Sequence, residues 1–186
     1  RPDGLLQDFT HGSILLDWPV SMRDDYDFEA HPKSGKGCMS FINALYIGAL
    51  DWMNELYEIL DIPKHHDTDS LKKRFIEVFY RPETGLFVDS ETSSHSALHA
   101  NIFPAYFGFH PQESRDRLAE FYQSKGLCCG VYMAFFLLKA CGAIGRKDLV
   151  WELMMNRTDR SWYNMVAKGA TTCWEVWDYP YKNNIS

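Results

Sequence analysis

The 186-residue chain has no uninterrupted apolar run approaching the roughly 18 residues needed to cross a bilayer, so nothing in it reads as a membrane span. It also has no long basic run. With a formal net charge of -6 and acidic and basic residues interspersed, the electrostatic footprint expected of a nucleic-acid or anionic-membrane binder is missing. A neutral partner fits this balance better. Arg1 opens a polar stretch without signal-peptide character, which leaves localisation open, a periplasmic or extracellular setting included. Low-complexity linkers are absent, and no convincing repeat is evident. The five cysteines, Cys38, Cys128, Cys129, Cys141 and Cys173, lack the paired spacing of a zinc site and the density of a disulfide scaffold. They read as mostly free, buried, small apolar residues, with room for one disulfide.

What is present is core material. At 46% hydrophobic and 15% aromatic, the chain can bury one sizeable core, so residues 1–186 read as a single domain. Helical periodicity dominates. From Ile42, the residues Leu45, Tyr46, Ala49, Met53, Leu56, Tyr57 and Leu60 form the stripe of a long amphipathic helix that ends before Pro63. Asp67 or Asp69 caps a second helix carrying Leu71, Phe75, Val78 and Phe79, and Pro82 closes it. "GLFVD" (85–89) reads as extended. A third helix is predicted from about His95 to Phe109 with a disturbance at Pro104, and a fourth from Pro111 carrying Leu118, Phe121 and Tyr122.

"CGVYMAFFLLKACGAIG" (129–145) is apolar almost all round, which predicts a helix enclosed by others. Asp148 to Asn156 makes a sixth helix with Leu149, Val150, Leu153 and Met154 inward, and Ser161 to Lys168 a shorter seventh. Seven helices with short connections predict an all-α domain with antiparallel neighbours.

Three stretches break this pattern: the opening residues, "ILLDWPVSMRDDYDFE" (14–29) and "ETSSHSALHANIF" (91–103). Each mixes polar and aromatic residues. That mixture suits a sugar, whose hydroxyls bond to carboxylates while its C–H face stacks on a ring. Glu91, His95 and His99 fall four residues apart and would share a helix face, but the Glu lies in a cap-and-turn sequence and the spacing is not that of a helical zinc motif. No metal and no cofactor are expected.

"GATTCWEVWD" (169–178), preceded by "SWYNMVAKGA", resembles the signature near the end of the catalytic domain of α-L-rhamnosidases, glycoside hydrolase family 78. "LLDWP" (15–19), "HANIFPAYFGFHP" (99–111) and "MAFFLLKACGAIGRKDLVWELM" (133–154) resemble other segments of that family in the same order. The resemblance implies an (α/α)6 toroid, of which about seven helices would be a partial ring. It also implies hydrolysis of terminal α-L-rhamnosides with inversion, which requires a general acid and, on the opposite face, a general base. Glu175 matches the base.

The same resemblance makes Asp17 and Trp18 sugar-contacting loop residues, places His99 and Asn101 at the mouth of an inner helix, and makes Trp174 a stacking wall. Trp174 and Trp177 would restrict water around Glu175 and strengthen it as a base. The family's general acid lies upstream of the Asp-Trp loop, and "SMRDDYDFE" (21–29) follows that loop, so it is not assigned the acid's role. The chain therefore reads as a fragment of the catalytic domain, inactive alone and self-associating through faces on the first and fifth helices that absent helices would cover. The implied partner is a rhamnose-containing glycoside, with neither nucleic acid nor membrane. Two other functions fit the residues: another six-hairpin carbohydrate-active enzyme, and a non-catalytic helical sugar-binding or scaffold module.

Overall fold

The computed structural model describes residues 1–7, 16–27 and 38–177. The flanks of the Asp-Trp stretch and Asp178 of the signature lie outside the described residues. The helices are α1 (Ser40–Ile59), α2 (Thr68–Phe79), α3 (Leu98–Tyr106), α4 (Arg115–Lys125), α5 (Val131–Ala143), α6 (Lys147–Met154) and α7 (Trp162–Ala167). Between α2 and α3, β1 (Tyr80–Arg81) and β2 (Leu86–Phe87) form a small antiparallel hairpin with Tyr80 opposite Phe87.

Helix α3 packs between α1 and α5, while α2, α4 and α6 each pack on the helix before them. The described chain is thus three helical hairpins in two layers, with α1, α3 and α5 side by side in one of them. Phe75 and Phe79 of α2, Phe87 of β2 and Phe109 after α3 close the space between layers, with ring centroids 4.7 to 5.6 Å from Phe75. All four are buried.

The helices start in two different ways. Helices α2 and α7 carry their own caps: Asp67 accepts from the Ser70 amide at 3.1 Å, and Ser161 from the Asn164 amide at 3.0 Å. Helices α1, α3 and α5 begin after Met39, Ala97 and Gly130, none of which caps with its side chain. The backbone amides at or just before these starts find acceptors far away in sequence. Ser40 N–H bonds to Asp89 O at 2.9 Å, Leu98 N–H to Asp24 Oδ2 at 2.7 Å, and Gly130 N–H to Asp17 Oδ2 at 2.7 Å. Loop residues 16–27 therefore tie together the heads of α3 and α5, and Asp27 N–H reaches the Asp89 carboxylate at 2.8 Å to join α1 to the same end.

A short repeat accompanies this arrangement, against the expectation of none. "GLLQ" (4–7) and "GLFV" (85–88) each start at a glycine in the left-handed region, at φ +82° and +69°, where a side chain would be strained. Each is clamped by an asparagine at the fourth position of a helix. Asn43 of α1 pairs with both backbone groups of Leu6, at 2.7 and 3.2 Å. Asn101 of α3 does the same with Phe87, at 2.8 and 3.0 Å.

Several helix boundaries and faces differ from expectation for identifiable reasons. Helix α3 starts at Leu98, because residues 91–97 wrap the buried Asp89, which accepts from Ala97 N–H at 2.7 Å and contacts His95 Nδ1 at 2.6 Å. Pro111 precedes a 3-10 turn, Gln112–Ser114, and α4 begins only at Arg115. Met154 is 48% exposed, since only the Leu149–Leu153 line of α6 meets α5. Helix α5 is covered on one side only, leaving Tyr132 76% and Phe135 54% exposed. All five cysteines are free thiols, and burial pushes the Cys141 thiol up to about 12, as suits a small core residue.

Candidate functional site

A cavity of about 420 Å³ lies at the gathered helix heads. Its floor is apolar, made by Phe41 and Leu45 of α1, Phe103 of α3, and Tyr132, Met133 and Phe136 of α5. Its polar edge comes from opposite ends of the described chain: Asp17 and Trp18 from the loop, and Glu175 from the segment after α7. The aromatic floor is continuous, with Phe136 5.3 Å from Phe103 and 5.6 Å from Tyr132 between centroids.

The Asp17 carboxylate is fixed from three sides. Oδ2 accepts from Gly130 N–H at 2.7 Å and lies 2.8 Å from His99 Nε2, while Oδ1 accepts from Trp18 N–H at 2.8 Å. Arg23 adds a bond from Nε to the Asp17 carbonyl at 3.0 Å, which anchors the loop backbone. Trp18 is 42% exposed at the cavity lip.

Glu175 is the one exposed residue of the stretch 174–177. Trp174, Val176 and Trp177 are buried, and Glu175, between the first two, is exposed. Trp177 is the anchor: its Nε1–H donates to Cys129 O at 2.7 Å, and its ring meets Trp162 edge-on at 5.1 Å. Cys129 immediately precedes Gly130, so one short strap, 129–130, is held by the signature segment on one bond and by Asp17 on the next.

This geometry revises several sequence expectations. Trp174 and Trp177 face the interior and do not line the cavity, so they do not shield Glu175 from water. His99 lies in the first turn of α3, as expected, but it is fully buried beneath Asp17 and does not line the cavity. Asn101 is fully buried too, with its amide spent on Phe87 and on the Ala97 carbonyl at 2.9 Å. Glu91, His95 and His99 are drawn to different partners: Glu91 to Arg1 at 2.7 Å, His95 to Asp89, and His99 to Asp17. Among the described residues no cluster of three or more His, Cys, Asp or Glu is placed to hold a metal.

Asp24 was unassigned in the sequence and proves structural. It is buried, with Oδ2 on Leu98 N–H and Oδ1 2.7 Å from Lys125 Nζ. The floor residues went unrecognised because an apolar residue in an apolar stripe carries no mark of facing a cavity. Gly130 carried one readable signal, a glycine directly before a helix.

Three helical hairpins in two layers, with a carboxylate- and indole-edged cavity at the heads of one layer, fit a helical glycosidase domain of the six-hairpin class. Residues 6–186 match the bacterial alpha-L-rhamnosidase 6 hairpin glycosidase domain, and the chain belongs to that family. It is accordingly glycoside hydrolase-like, with carbohydrate as its substrate class. No curated relative matches the chain.

Proposed function

We propose that the cavity holds the terminal sugar of an α-L-rhamnoside and that Glu175 is the general base of an inverting hydrolysis. The observation that carries this reading is the meeting of Asp17, Trp18 and Glu175 at one cavity from opposite ends of the described chain. Asp17 accepts a sugar hydroxyl, the half-exposed Trp18 stacks on a C–H face, and the apolar floor receives the methyl group of a 6-deoxy sugar. Glu175, open to solvent, takes a proton from a water whose oxygen attacks the anomeric carbon. The bond from that carbon to the leaving oxygen breaks as a general acid protonates the leaving oxygen. We place that acid on a segment upstream of the Asp-Trp loop, because Asp24 and Asp27 bond to Leu98, Lys125 and Ser93 within the scaffold.

The test is hydrolysis of an aryl α-L-rhamnoside by the active enzyme followed by NMR. The β-anomer of L-rhamnose should appear first, and activity should survive a chelator. First appearance of the α-anomer would overturn the inverting assignment.

The same reading extends to the apolar surface left open on α1 and α5. Trp52, Leu56 and Ile59 of α1 and Tyr132 and Phe135 of α5 are all more than half exposed. Further hairpins of a ring would cover these faces, and the 186-residue chain alone should pair through them and lack turnover. Sizing chromatography with light scattering, beside an activity assay, checks both. A monomer with full turnover would place the acid within these residues, with the exposed Asp25 ahead of the scaffold-bound Asp24 and Asp27.

A further inference from the structure

We propose that His99 is a positioning residue for substrate binding, holding the Asp17 carboxylate so that its remaining acceptor face meets the sugar. The inference rests on the reading of the cavity as the sugar site. His99 is fully buried in α3, and its hydrogen-bond partner is Asp17, 2.8 Å from Nε2. Its other ring nitrogen, Nδ1, is buried without a partner among the described residues. A polar ring with one nitrogen unsatisfied is costly in a core, where leucine would pack without that cost. The bond to Asp17 is what the imidazole supplies in return.

Asp17 is clamped rather than merely bonded. A carboxylate offers about four lone-pair directions. Three are taken, by His99, Gly130 N–H and Trp18 N–H, which leaves one on Oδ1, and the side chain lines the cavity. A Cβ on Gly130 would stand 2.2 Å from Oδ1 and 2.7 Å from the Trp18 carbonyl, so only glycine fits there. The Gly130 amide is thus held by a carboxylate 113 residues away in the sequence that also faces the cavity.

The experiment measures KM and kcat on an aryl α-L-rhamnoside, equilibrium binding of L-rhamnose, and thermal melting for Asp17→Asn, His99→Leu, His99→Gln and Gly130→Ala in the active enzyme. Asp17→Asn, His99→Leu and Gly130→Ala should each raise KM and the L-rhamnose Kd by about tenfold or more, the scale of one hydrogen bond to a charged group. Their kcat should stay within about threefold, since the proton transfers are untouched. His99→Gln, whose amide can donate to Asp17, should recover most of the loss. The double variant Asp17→Asn/His99→Leu should bind no worse than Asp17→Asn alone, because both act through one carboxylate.

Unchanged binding in His99→Leu, with Asp17→Asn impaired, would overturn this inference and leave the sugar site standing. Unchanged binding in Asp17→Asn would overturn the sugar-site reading itself. If His99→Leu fails to fold, His99→Phe, which keeps a ring but cannot bond to Asp17, decides the matter: weakened binding in it beside recovery in His99→Gln supports the inference, and unchanged binding in it overturns the inference.

Discussion

Asp17 and Glu175 edge the same cavity but are built in opposite ways. Asp17 is 8% exposed and held by three nitrogen partners from three parts of the fold. Glu175 is exposed, has no hydrogen-bond partner among the described residues, and owes its place to the buried residues on either side. A group that orients a ligand gains from being fixed before the ligand arrives. A group that must collect a proton from water needs an open face. The difference therefore separates a binder from a base and predicts that substitutions at the two positions fail in different ways.

The largest expected effect is at Glu175. Glu175→Gln should lower kcat by at least about 100-fold, the scale of losing a general base. An exposed side chain without a bond leaves the fold little to lose, so the melting temperature should stay unchanged. Steady-state kinetics with a thermal melt checks both, and a loss of tenfold or less would reduce Glu175 to a supporting role.

Next is Asp24, which repeats the fixed design of Asp17 away from the cavity. Removing its carboxylate strips the first amide of α3 of its acceptor and leaves Lys125 unpaired. Because Lys125 is 30% exposed and water can replace part of the pair, Asp24→Ala should cost about 2 kcal/mol. A urea titration measures this, and a change below about 0.5 kcal/mol would mean that α3 is not capped from the loop. Trp177→Phe follows. It keeps a buried ring against Trp162 but loses the bond to Cys129, at about 1 kcal/mol. Activity should fall with it only as far as the Glu175 segment loosens.

The same contrast explains what could be read from the sequence. The starts of α2 and α7 were legible because their caps, Asp67 (weighed beside Asp69) and Ser161, are local and of the expected types. The start of α3 was placed too early because its caps, Asp24 and Asp89, come from outside the segment, and no window along the chain joins position 24 to position 98. Glu175 stood out because an acidic residue between two indoles is unusual without any structure. His99 and Asn101 were noticed for the same reason, as polar residues heading an apolar helix. A buried clamp and a ligand contact look alike there, and only their partners, Asp17 and Phe87, tell them apart. The indoles misled in the opposite sense. Trp174 and Trp177 suggested a pocket wall, but both rings are buried in the interior and Glu175 alone of residues 174–177 faces outward.

The smallest effect, and the sharpest test of what fixing a carboxylate means, concerns Asp89. It is fully buried, away from the cavity, and bonded by Ala97 N–H, Asp27 N–H and the His95 ring. Burial is the largest influence on it and outweighs these donors, so its pKa lies above the ordinary 3.8. The folded state then holds the proton more tightly than the unfolded state. Between the two pKa values the native protein carries more bound protons, and stability must fall as pH rises through that window. The contribution from Asp89 is complete below 3.8 and is lost on passing its folded value. Asp89→Asn cannot titrate there, so the stability of the wild type relative to this variant should decline as pH rises from about 4 and then level off. Denaturation midpoints of both proteins across that range measure the difference directly. A difference that grows with pH would mean that the three donors outweigh burial, and that Asp89 is held as an anion in the manner of a helix cap.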